Sequence, residues 1–94
     1  MINFTRLYYT NGSYARVNGW HIFKSYNTFI GCYDITNKTM YKDKYFYSSS
    51  TSRQFNRFCR DILGVEPTDK NWKKNNLQLC ESEEITNLIN NEIL

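Results

Sequence analysis

The chain is poor in the residues from which catalytic and metal centres are built. It has one histidine, His21, and three cysteines, Cys32, Cys59 and Cys80. A single imidazole does not make a histidine metal site, and no two cysteines stand at metal-type spacing. The odd cysteine count reads as three reduced thiols. No glycine-rich phosphate loop and no zinc-protease helix motif occurs. No apolar run approaches the ~18 residues of a membrane span, and Met1 to Leu7 carry no apolar signal-peptide core. These absences lead us to expect a soluble cytoplasmic protein that uses no metal and no cofactor. Acids are also scarce early on: residues 1–60 hold nine Lys or Arg against only Asp34 and Asp43. Residues 61–94 reverse this, with three lysines against seven acids. The layout suggests a basic face and an acidic terminal segment, or mutual neutralisation in the fold.

What is present is enough for one small domain. The 94 residues are 40% hydrophobic and 17% aromatic, so a packed core is expected rather than disorder. Twelve asparagines and a single alanine, Ala15, indicate an AT-rich coding bias. Thirteen of the sixteen aromatics fall within the first 47 residues, where aromatic and β-branched side chains suit a pleated surface. Asn11-Gly12-Ser13, Asn18-Gly19 and Thr36-Asn37-Lys38 are turn signals. They divide this half into strands near 4–10, 13–18, 20–26, 28–35 and 39–47. Segments 13–18 and 20–26 also read as one long strand bulged at Gly19. Along 39–47, Tyr41, Asp43, Tyr45 and Tyr47 share one side, and Met40, Lys42, Lys44 and Phe46 the other. Neither side is cleanly apolar, which suggests a sheet with one open face.

The period then changes. Thr51 followed by Gln54 is a capping-box pattern. Phe55, Phe58, Cys59, Ile62 and Leu63 follow at helical spacing, and Gly64 stands where a left-handed cap belongs. A helix over 51–63 is expected to rest on the sheet. Beyond it, Pro67-Thr68-Asp69 suggests a turn and a second N-cap, for a short helix over 70–75 with Trp72 turned inward. Leu77, Leu79 and Cys80 read as extended. Ser82 is the expected cap of a last helix carrying Ile85, Leu88, Ile89 and Ile93. The fold class is α+β: an antiparallel sheet of four to five strands (1–47), one main helix (51–63) and a C-terminal helical segment (65–94).

Candidate chemistry is thin. His21 beside Cys32 or Cys59 is the one arrangement resembling a thiol pair, and Asp34 with Asp43 the one facing pair of carboxylates. Structural roles account for both more simply, so we expect no enzyme. Arg53, Arg57 and Arg60 recur along one helix face, and Lys42, Lys44 and Tyr45 lie on the strand before it. Guanidinium groups grip phosphates and carboxylates in a bidentate manner. Tyr14, Tyr26 and Tyr45 offer stacking surfaces of the kind single-stranded nucleic-acid binders use. These six residues (Arg53, Arg57, Arg60, Lys42, Lys44 and Tyr45) are the expected partner-binding surface.

Two segments resemble a family of small phage-type domains of unknown function. One is Ser25-Tyr26-Asn27-Thr28 ahead of an apolar strand. The other is Tyr47-Ser48-Ser49-Ser50-Thr51-Ser52-Arg53-Gln54, leading to Phe58. The likeness covers about residues 14–64; Gln54 replaces the histidine usual in that pattern, and 65–94 have no counterpart. The resemblance implies a phage origin. Small phage proteins often bind a host macromolecule, which makes an anti-CRISPR inhibitor of a host ribonucleoprotein the expected function. A phage nucleic-acid-binding protein is the alternative. No membrane partner is expected. Monomer and homodimer both remain open, the latter through an edge strand such as 4–10.

Overall fold

A computed structural model describes residues 2–7, 10–45 and 49–94. Its architecture is α+β, with six strands in one sheet ordered as in the sequence. The strands are β1 (Thr5–Arg6), β2 (Gly12–Val17), β3 (Trp20–Ser25), β4 (Thr28–Asp34), β5 (Thr39–Asp43) and β6 (Leu77–Cys80). The first five form an antiparallel meander. β6 joins β5 in parallel, with Met40 opposite Leu77 and Asp43 opposite Cys80. The expected count of four to five strands, all antiparallel, is thus corrected, and 65–94 are not wholly helical. A parallel neighbour requires a crossover. Here it consists of α1 (Ser49–Phe58), a π-helical turn over Cys59–Leu63 and α2 (Lys70–Asn76). A last helix, α3 (Ser82–Leu88), continues into a second π-turn over Ile89–Ile93.

Local chemistry explains most boundaries. Asn18 and Gly19 both have positive φ (51° and 83°), the geometry of a tight hairpin between β2 and β3. They form a turn, not a bulge within one strand. Gly64 ends the crossover helix at φ 68° and donates its N–H to the Cys59 carbonyl. Of the expected turn and cap over Pro67-Thr68-Asp69, it is Asp69 that caps α2, accepting from the amides of Asn71 (2.8 Å) and Trp72 (3.1 Å). Two expected caps differ. α1 already includes Ser49, so Thr51 lies inside it, buried. The cap of α3 is Glu81, one residue before Ser82, and Glu84 closes the capping box. The outer parts of the expected strands 4–10 and 39–47, at Tyr8, Tyr9, Phe46 and Tyr47, lie outside the described residues.

Both faces of the sheet are covered, which corrects the expectation of an open face. On one, Phe23, Ile30 and Met40 pack with Phe55, Phe58 and Cys59. Phe23 and Phe58 stack with centroids 4.8 Å apart. On the other, Ile22, Cys32 and Cys80 meet Ile85, Ile89 and Ile93. Burying each of these large side chains contributes about 1.5–3 kcal/mol. A bulge makes both faces apolar along β4. Phe23 opposes Gly31 and Lys24 opposes Phe29, leaving Ile30 as the extra residue. Parity therefore shifts, and Ile30 and Gly31 both serve the α1 side. No helix among the described residues is long and apolar enough to cross a membrane.

Candidate partner-binding surface

The six expected contact residues separate into three places. Arg53, Arg57 and Arg60 stay together, because spacings of four and three keep them on one side of the helix. Their apolar neighbours Phe55, Phe58 and Cys59 are pinned to the sheet, so the arginine side faces out. Arg57 Nε donates to Asp61 Oδ2 at 3.1 Å. Arg60 forks onto Glu66, with Nε at 2.8 Å from Oε1 and Nη2 at 3.0 Å from Oε2. That fork, helped by the Thr68 amide and hydroxyl, holds the Glu66 carboxyl down at about 2. Arg53 is exposed and has no carboxylate partner among the described residues. It borders a shallow depression with Thr10, Ser50, Gln54 and Arg57.

Lys42 is not on this surface. It is only 5% exposed and lies on the core side of α1, its Nζ 5.0 Å from the Phe55 ring centroid. The ammonium donates to the Asp43 carbonyl at 3.1 Å. Burial lowers its pKa, and Asp43 opposes that shift. Lys42 also borders a cleft of about 370 Å³ with Phe55, Pro67, Leu77 and Leu79. Sequence alternation does not reveal this cleft, since the crossover and β6 build its walls.

Lys44 and Tyr45 sit past the end of β5, beside α3. Both bind Glu81: the Lys44 ammonium through an ion pair, the Tyr45 hydroxyl as donor at 2.9 Å. The shared carboxylate raises both of their pKa values, and they in turn lower that of Glu81. Among the described residues, this is the ion pair that joins the basic first part to the acidic segment 81–92. That segment rides on α3 over the opposite face of the sheet, so the arginine stripe is left uncovered.

The remaining candidates lie apart from one another. Asp34 accepts from the Thr36 and Asn37 amides in its turn, whereas Asp43 is buried near the other end of the hairpin. They form no carboxylate pair, and neither pairs with Arg53. Ser25 of the Ser-Tyr-Asn-Thr segment donates to Gln54 Oε1 at 2.6 Å, and its hydroxyl lies 3.3 Å from that of Thr51. The residues that resemble a capping box thus clasp α1 to β3. His21 lies against the rings of Tyr33 and Phe58, and burial, then Arg16, lowers its pKa. All three thiols are buried; desolvation pushes Cys32 and Cys59 up to about 12 and raises Cys80. Such thiols are poor nucleophiles. Among the described residues, no group of three His, Cys, Asp or Glu is placed to hold a metal ion.

Comparison with protein-family models, with curated proteins and with solved structures gave no match.

Proposed function

We propose that the protein is a phage-encoded, non-enzymatic binding protein that inhibits a host defence complex, a CRISPR effector, by docking the outer side of α1. The resemblance of segments 25–28 and 47–54 to phage-type domains supplies the setting. One observation carries the mode of contact: two of the three arginines are already paired with carboxylates, Arg57 with Asp61 and Arg60 with Glu66. The stripe is therefore a mixed-charge surface around Arg53, whose guanidinium has no carboxylate partner among the described residues. A nucleic-acid backbone favours unopposed cations, whose binding releases counterions. A protein surface instead favours alternating charge and an arginine anchor. The arginine side thus fits a protein component of the complex better than bare nucleic acid.

The test is inhibition of a purified effector–guide complex, read as loss of target-DNA binding when this protein is added. The expected result is a complex that survives nuclease and is weakened at least about tenfold by Arg53→Glu, as for a hot-spot arginine. An effector that binds target unchanged, with no nuclease-resistant complex, overturns the proposal.

A further inference from the structure

The Ser25-Tyr26-Asn27-Thr28 segment holds one aromatic ring that the fold leaves outside its core. Ser25 is buried and clasps α1. Tyr26 turns the chain from β3 to β4 with its side chain outside, 60% exposed. Its φ is +55°, a left-handed conformation that costs a bulky residue more than it costs glycine or asparagine. Its N–H is pinned to the Asn11 carbonyl at 2.9 Å, which holds the loop against the β1–β2 connection. An exposed aromatic kept in a costly conformation is an outlier that points to use.

Its surroundings indicate what use. Tyr26 borders an open depression of about 410 Å³, together with Arg6, Lys24, Asn11, Asn27 and Phe4. Lys24 Nζ sits 4.0 Å from the Phe4 ring centroid, and Arg6 Nε donates to the Thr10 carbonyl at 2.6 Å. No carboxylate lines the depression, and none occurs anywhere in residues 1–33. This is the opposite of the arginine stripe, where acids stand beside two of the three cations. Cations without acids, an exposed ring and side-chain amides together match an unpaired nucleotide: phosphate on cation, base on ring, amide near the base edge.

We infer that this corner of the sheet binds a short stretch of single-stranded nucleic acid, with one base stacked on Tyr26 and the flanking phosphates met by Arg6 and Lys24. The inference does not rest on the docking proposed for α1, because it uses the isolated protein and other residues.

The experiment is fluorescence anisotropy with a labelled eight-nucleotide single strand of mixed sequence, at low salt, beside the corresponding duplex. The single strand is expected to bind better than the duplex, with a log–log salt slope of about −1.4 for two phosphates. Tyr26→Phe keeps the affinity, since the ring and not the hydroxyl is used. Tyr26→Gly suits the positive φ, so it preserves the turn while removing the ring, and weakens binding about tenfold or more. The Arg6→Ala/Lys24→Ala double variant flattens the salt dependence. Preference for duplex, no binding at about 100 µM, the weak limit for non-specific contacts, or unchanged affinity of Tyr26→Gly overturns the inference. Loss through Arg53→Ala instead would also overturn it, by moving the nucleic-acid contact to α1.

Discussion

Ser82 donates its hydroxyl to Asp43 Oδ2 at 2.5 Å, joining the start of α3 to the end of β5 across 39 positions of sequence. Asp43 is fully buried and also accepts the Tyr45 amide at 2.9 Å through Oδ1. Beside it, the Lys44 amide donates to the Cys80 carbonyl at 2.9 Å. The end of β5, the end of β6 and the first turn of α3 therefore meet around one carboxylate.

Removing the hydroxyl leaves a buried carboxylate one donor short. Ser82→Ala is expected to cost about 1.5–3 kcal/mol, the range for hydrogen bonds to charged groups. Asp43→Ala is expected to cost more, because the Tyr45 amide and the Ser82 hydroxyl both lose their acceptor. Urea denaturation of the three proteins measures this. A Ser82→Ala loss within about 0.5 kcal/mol, the scatter of neutral surface changes, would show that the bond contributes little.

Gly31 is expected to be the glycine least tolerant of a side chain. A Cβ there would stand 2.6 Å from Met40 Cε and 2.7 Å from the Tyr41 carbonyl oxygen. The methionine can move, but the backbone of the neighbouring strand cannot move freely. Gly31→Ala should therefore cost about 1–3 kcal/mol by overpacking. Gly19 offers the contrast: nothing lies within 4 Å of its Cβ position, and only its φ of +83° matters. Gly19→Asn is expected to be nearly neutral, because asparagine tolerates left-handed turns. Thermal melts showing equal losses would contradict the steric reading.

Acid should weaken the clasp between Arg60 and the loop after it. Glu66 titrates near 2 in the folded chain rather than at its ordinary 4.5. With the folded value depressed, the unfolded chain takes up the proton first. The stabilisation is complete above 4.5 and is lost as pH falls through about 2. The melting-temperature difference between the protein and its Glu66→Gln variant should be steady from neutral pH down to about 5, then shrink toward pH 2. The pair lies at the surface, so the difference is small and should fall further at high salt. A difference that is flat across the acid range would show that Arg60 does not perturb this carboxyl.

Much of the fold is legible in the residues because it follows from near neighbours. Asn18-Gly19 makes a hairpin through its own φ preferences. Phe55, Phe58 and Cys59 make a helix face through spacing, and Asp69 caps through a side chain reaching two and three residues on. Other features depend on distant partners. Thr51 and Gln54 have the spacing of a capping box, yet Ser25, 26 and 29 positions away from them, takes both up. Leu77–Cys80 is a four-residue stretch with little pattern, and it becomes a strand because β5 offers it an edge. Tyr26 is legible in the sequence as a candidate stacking surface, but the depression beside it exists only because β1 and the 10–11 turn lie next to the 26–27 turn.

The sequence by itself determined the α+β class, the meander of strands, the helix after it with its arginine side and the separation of basic from acidic charge. These follow from periodicity, turn chemistry and composition, which act within a few residues. Only the tertiary structure decided that both faces of the sheet are covered, that β6 runs parallel to β5, and that Lys42 is buried while Arg53 stays exposed. Each of those depends on which distant segment fills a given face. That choice is made by burial of the whole apolar surface at once, not by any local preference.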